Sequence, residues 1–257
     1  MNAMPYSNQY PPHIQNVPAY SHNEPVESQE EKPRVEESGS ISLSDGKKPI
    51  VMEISHSEYL PSLPPSLRPG ASFTGWSNNA LPVSESYKGM IRFIIPNWLA
   101  GQWKRTESKE TKRVKLPEGT ELKTAGTTAA NVIDTFGTYL DGDGRIWQVF
   151  DPKRASGQVD RGDFIDHHRV MKYKIEILGP DSVMVEVVAS HLVVNKQKNQ
   201  IVKSFQDEEL NTYTLLKNGN AKTESSVKVF DQLGKPVLLT HAVSYVSKIQ
   251  GKDSLQN

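Results

Sequence analysis

Across residues 171–245 apolar and polar side chains alternate, and only short turn sequences interrupt the alternation. Met171, Tyr173, Ile175 and Ile177 are separated by Lys172, Lys174 and Glu176. After the turn Gly179-Pro180-Asp181-Ser182, the same spacing returns in Val183, Val185, Val187, Ala189 and Val193. Lys196-Gln197-Lys198-Asn199 turns the chain into Ile201, Lys203 and Phe205. Asn218-Gly219-Asn220 joins residues 210–216 to Val227 and Val229, and Asp231-Gln232-Leu233-Gly234 leads into Val237, Leu239, His241, Val243 and Tyr245. Upstream, residues 135–140 and 145–150 flank the hairpin sequence Asp141-Gly142-Asp143-Gly144. A period of two is the signature of a strand with one buried face, and Asn-Gly and Asp-Gly are hairpin turns. Residues 103–116 form a polar, charged run that reads as one strand or a strand pair. Residues 120–133 hold the only stretch compatible with a short helix, and Thr and Gly weaken it. About eight or nine strands joined by short turns make a meander, which closes into an up-and-down barrel or splits into a sandwich. Closure removes the exposed edges of so long a sheet. The expected fold is therefore an all-β, antiparallel up-and-down β-barrel of about eight or nine strands, preceded by a long disordered Pro-rich segment.

Composition divides the chain. Eleven of its 17 prolines fall in residues 1–70. Residues 1–92 carry 7 basic and 10 acidic groups, against 23 and 20 in residues 93–257, so the neutral whole is a mildly acidic leader joined to a mildly basic body. Residues 1–49, with scattered hydrophobes and an acidic run at 24–37, bury too little to offset chain ordering and are read as a disordered leader. Residues 50–92 begin with a segment apolar enough to dock, while Pro61, Pro64, Pro65 and Pro69 forbid a helix interior or central strand; an irregular or polyproline wrap on the body is expected. Residues 93–250 form the barrel and residues 251–257 a frayed tail.

The chain contains no cysteine, which excludes disulfides, thiolate nucleophiles and Cys-ligated metal. No apolar run is long enough for a transmembrane helix. The first residues lack a positive region followed by an apolar one. Absence of cysteine and a Pro/Ser/Glu-rich segment ahead of a folded domain lead to the expectation of an exported bacterial protein, periplasmic or at the cell surface, with its signal outside this chain; the alternative is the cytoplasm.

The entry to the barrel reads Ile94-Ile95-Pro96-Asn97-Trp98-Leu99-Ala100-Gly101-Gln102-Trp103. It resembles the Gly-X-Trp entry of the lipocalin and wider calycin families. The resemblance covers about ten residues by motif and about 150 by strand pattern. It implies that Trp103 plugs the closed end, that Trp98 lies in the entry turn after which Gly101 opens the first strand, and that a basic side chain near the last strand stacks on Trp103. Lys248 is the candidate for that cation–π contact.

Among the histidines, His191 is in phase with Val187, Ala189 and Val193, and His241 with Leu239, Val243 and Tyr245. Both are expected on apolar faces, either as core groups with backbone or hydroxyl partners or as groups lining a cavity. Tyr173, Tyr245 and Trp147 complete the candidate ligand-binding set. His167 and His168, beside Asp163 and Asp166, read as a solvated loop, since adjacent strand residues face opposite sides. Asp141 and Asp143 resemble part of a calcium loop, but its first position is Tyr139 and its twelfth Phe150, so a hairpin turn is expected. Asp160/Asp163 and Glu208/Glu209 are carboxylate pairs with nothing to set them apart from solvated turns. Residues 104–115 carry six basic and two acidic groups without interleaved aromatics, an exposed strand face rather than a nucleic-acid patch. Trp76 reads as a docking anchor. No serine-hydrolase elbow, P-loop or dinucleotide fingerprint occurs.

No cofactor, metal or nucleic-acid partner is expected. The reading that follows is a non-enzymatic barrel for a small apolar or amphipathic ligand. The alternative is a structural, assembly or envelope-associated protein that tethers or binds a protein partner through residues 50–92. An isomerase or lyase using His191 or His241 rests on those histidines alone.

Overall fold

The computed structural model describes residues 55–76, 90–152 and 154–251. The leader at 1–49 and residues 252–257 of the tail lie outside them, as do residues 77–89. The described residues form twelve strands: β1 (Ile91–Ile95), β2 (Gly101–Lys115), β3 (Thr120–Glu121), β4 (Thr127–Phe136), β5 (Tyr139–Leu140), β6 (Ile146–Phe150), β7 (Ser156–Asp160), β8 (Phe164–Gly179), β9 (Ser182–Asn195), β10 (Gln200–Leu215), β11 (Ala221–Asp231) and β12 (Pro236–Gln250). The main sheet has nine strands. From β7 through β8, β9, β10, β11 and β12 it is an antiparallel meander, and β12 then pairs with β2, the first long strand. β4 and β3 pair successive parts of the far edge of β2. A three-stranded sheet, β1-β6-β5, accompanies it, and its Phe93 and Phe150 pack on Tyr173 of β8. The meander and the pairing of its last strand with the first long one give the strand order of an up-and-down barrel, with β3 and β4 at one edge of the sheet and β7 at the other.

The run at 103–116 falls, up to Lys115, on one strand, β2, bent by bulges opposite β12 and β4. The short helix compatible with residues 120–133 does not form: this stretch is β3, a loop and most of β4. Val132, Asp134 and Phe136 are all buried, so the tertiary pattern has period two, and the β-branched Thr127, Thr128, Val132 and Ile133 fit a pleated surface.

The register sorts the side chains into two faces. Odd-numbered residues of β9 and β11, odd-numbered residues of β10 after the bulge that follows Ile201, and even-numbered residues of β12 point inward, onto a core of Trp103, Phe136, Phe150, Tyr173, Val183, Val185, Val187, Tyr213, Ala221 and Val246. The other face of β9 and β10 is buried as well, because residues 55–76 run across it as a strap. Leu63, Leu67 and Phe73 pack there on Leu192, Val194 and Ile201. The strap contains one 3-10 turn (Pro65–Leu67) and is held by main-chain bonds: Leu60 and Leu63 donate to Gly234 and Gln232, Gly70 and Phe73 to Ile201 and Asn199. Gly234 admits Leu60 only because it lacks a side chain, since a Cβ there would stand 1.8 Å from the Leu60 carbonyl oxygen. Trp76 lies edge-on to Phe73, and Phe73 also covers His167 of β8.

Candidate functional site

The Gly101–Trp103 entry fastens the start of β2 to the end of β12. Gly101 has φ of +114°, and a Cβ on it would fall 2.1 Å from the carbonyl oxygen of Gln250, so β2 can begin this close to the end of β12 only with glycine. Trp103 is fully buried and donates its Nε1–H to the Leu99 carbonyl at 2.6 Å. Trp98 meets it edge-on at 6.3 Å. Lys248 Nζ lies 4.9 Å from the centre of the Trp103 ring and donates to the Trp98 carbonyl at 2.6 Å. Burial lowers the Lys248 pKa. The four residues thus knit the entry turn to both terminal strands of the barrel.

Beyond Trp103 the inner wall carries buried charged groups. Asp134 of β4 accepts hydrogen bonds at one oxygen from Arg105 of β2 and Tyr213 of β10, each at 3.1 Å. Burial pushes its pKa up to about 6, against the pull of Arg105 and Tyr213. Arg105 lies in the run expected as an exposed strand face; its side chain instead points inward and is buried, because this carboxylate offsets the cost of desolvating it. Glu209 follows on β10, with Asn211 donating to it at 3.1 Å. Burial and the neighbouring Asp207 raise its pKa, outweighing Asn211, Arg105 and His191. His191 of β9 then sits between two carboxylates: Nδ1 is 3.1 Å from Asp166 and Nε2 is 3.2 Å from Asp207. Its ring stacks on Phe205 at 4.6 Å. Burial opposes its charge, but Asp207 and Asp166 prevail and push its pKa up to about 10. His168, 5.8 Å away, goes the other way, to about 4, through burial and the adjacent imidazolium.

Of the sequence candidates, this wall brings together His191 and Tyr173 only. Tyr173 is buried against Phe150 and Phe93. His241 and Tyr245 lie on the outer face of β12, opposite in direction to Leu238, Ala242 and Val246, and Tyr245 is 59% exposed. β12 carries apolar residues on both faces, so being in phase with Leu239 and Val243 does not mean being inside. Trp147 belongs to the small sheet, where it stacks on Tyr139 and donates to Asp141 at 2.7 Å. Asp141 also takes backbone bonds from Asp143 and Arg145, the arrangement of a hairpin turn, and these donors, Trp147 first, hold its pKa down at about 2. His167 and His168 are not in a loop but on β8, His168 inward and His167 outward under Phe73. Of the acidic flank that suggested solvent, Asp166 is buried against His191, while Asp163 is exposed. Among the described residues no group of three or more His, Asp or Glu side chains is arranged to hold a metal ion, and no helix is long and apolar enough to cross a membrane.

Arg105, read as part of an exposed face, and Glu208 and Glu209, read as a solvated pair, are instead buried, the two glutamates on opposite faces of β10; Asp134, Tyr213 and Asp207 escape sequence reasoning. One signal was present: Asp207, Glu209 and Asn211 continue the phase of Phe205 and Tyr213, a polar stretch set into an inward-facing row. The molecule is thus an antiparallel β-barrel with a buried, charged interior. Comparison with known protein families, with curated proteins and with solved structures found no match.

Proposed function

We propose that the protein is a calycin-like barrel whose lumen binds a small amphipathic ligand without chemically changing it. The observation that carries this reading is a set of buried polar atoms on the inner wall. Tyr173 Oη, Thr223 Oγ1, Asp134 Oδ1, Asp207 Oδ1 and His168 Nδ1 have no hydrogen-bond partner among the described residues. Buried polar groups are nearly always paired, and each one left alone costs about 1–3 kcal/mol. Five on one wall fit a lumen whose polar complement arrives from outside, as water or as the head of a ligand. Val183, Val185, Val187 and Phe136 offer an apolar surface beside them. The Trp103–Lys248 stacking is similar to the calycin entry and supports the family likeness. His191 argues against acid–base chemistry in the lumen: with a carboxylate at each nitrogen and a pKa of about 10 it stays protonated at neutral pH, with no lone pair to act as a base.

Titration of the full-length protein with a fluorescent amphiphile such as 1-anilinonaphthalene-8-sulfonate, paired with native mass spectrometry of gently purified protein, tests the reading. Saturable binding at one site, weakened about tenfold in Tyr173→Phe, is expected. No saturable binding and no co-purifying small molecule would overturn it.

A second reading, an assembly or envelope-associated protein, is favoured by the outer faces of β12 and β4, where Tyr245, Ile249 and Ile133 are about half exposed or more. Light scattering of the intact protein distinguishes the two, since self-association that ends on Tyr245→Ser favours assembly.

A further inference from the structure

The outer face of the barrel carries a second polar group, created where the strap crosses β10 and β11. Glu208 of β10 is buried there, and three donors converge on it. The Ser57 backbone N–H donates to Oε2 at 2.6 Å, the Ser57 hydroxyl to Oε1 at 2.7 Å, and His56 Nδ1 lies 3.0 Å from Oε2. The other nitrogen of His56 is 2.7 Å from the hydroxyl of Ser226 on β11. Burial would raise the Glu208 pKa, but the His56 and Ser57 bonds prevail and lower it, so the carboxylate is ionised and acts only as an acceptor. In the tautomer in which Nδ1 donates to this carboxylate, Nε2 accepts from the Ser226 hydroxyl. Docking of the strap does not require this arrangement, because Ser57 alone engages both oxygens of Glu208.

We propose that Ser226, His56 and Glu208 form a hydrolytic site for carboxylic esters, with Ser226 as nucleophile, His56 as general base and Glu208 as the residue that positions His56. A hydroxyl, an imidazole and a carboxylate in this order are recognised by geometry, independently of chain order or fold. Ser226 is half-buried rather than enclosed, so a substrate can reach it. In the register Ser226 stands between Leu210 of β10 and His241 of β12, with Lys112 of β2 next beyond His241. Leu210, Leu239 and Val243 on this face suit a short acyl group. His241 and Lys112 put an imidazole and a cation on the same face, in register beside Ser226.

In the first step Ser226 Oγ bonds to the ester carbonyl carbon while its proton passes to His56 Nε2. The carbon–oxygen bond to the alcohol then breaks, and the alcohol leaves with that proton. Water attacks the acyl-Ser226 by the same route, giving the carboxylic acid and regenerating the serine. The site is separate from the lumen, and either can fail without the other.

The test uses the full-length protein with a fluorophosphonate probe, followed by peptide mass spectrometry, and with p-nitrophenyl acetate as substrate. A covalent adduct at Ser226 is expected. His56→Gln and Ser226→Ala are each expected to lower ester hydrolysis about 100-fold. Glu208→Gln is expected to slow labelling of Ser226 at least about tenfold, an effect that a purely structural role in strap docking would not produce in a variant with unchanged circular dichroism. Absence of an adduct at Ser226 in the unaltered protein, or hydrolysis undiminished in Ser226→Ala, overturns the proposal; the first needs no variant to fold.

Discussion

At the scale of single residues, His191 concentrates the energetics of the interior. It is an imidazolium enclosed by Asp166 and Asp207, and removing it leaves two buried carboxylates facing a neutral group. His191→Gln is expected to lose about 3–5 kcal/mol of stability, read from urea denaturation. The pH dependence has a definite sign. The folded pKa, about 10, lies above the ordinary 6.5, so the contribution is complete below 6.5 and is lost as pH rises through 10. Between these values the unaltered protein should lose stability more steeply than His191→Gln. Gly101 and Gly234 are constrained in another way, by neighbouring backbone. Both hold positive φ, and a Cβ on either would overlap a carbonyl oxygen. Gly101→Ala and Gly234→Ala should each cost about 1–3 kcal/mol, visible as a lower melting temperature. Only Gly234→Ala should also loosen the strap, giving faster proteolytic cleavage within residues 55–76.

At the scale of elements, the strap is the least regular segment and the one that changes the character of a whole sheet face. Without it, Leu192, Val194 and Ile201 would face solvent; with it they are nearly inaccessible. Leu67→Ala, which removes a side chain from that contact, is expected to cost about 2–5 kcal/mol. The measurement is thermal unfolding, with dye binding to report newly exposed apolar surface. Here element boundaries were only partly legible in the sequence. Turns at Asn199, Gly219 and Gly234 fall where the Gly, Asn and Asp clusters stand, because each requires the positive φ that those residues adopt readily. β4 was not legible, since its alternation is carried by Val132, Asp134 and Phe136, and a buried aspartate looks polar until its partners Arg105 and Tyr213 are known.

At the scale of the whole molecule, the barrel encloses several buried polar atoms that have no hydrogen-bond partner among the described residues. On the proposed ligand-binding reading, Tyr173→Phe separates folding from function: it is expected to leave the melting temperature unchanged or higher while weakening binding of 1-anilinonaphthalene-8-sulfonate. Thermal shifts with and without ligand check both halves. By itself the sequence determined the strand class, the turn positions and the meander, because period two and Gly/Asn turn chemistry are local properties of the backbone. It also marked Gly101, Trp103 and Lys248, since a motif carries its own spacing. Only the tertiary structure decided which face of each strand is inside. It placed His191 inward and His241 outward although both sit in apolar phase, and it brought His56 from a proline-rich segment to Glu208 and Ser226, 152 and 170 residues away. The physical reason is that alternation specifies two faces without labelling them. The label comes from what covers each face, and here both faces of β9 and β10 are covered, one by the opposite wall of the barrel and the other by the strap.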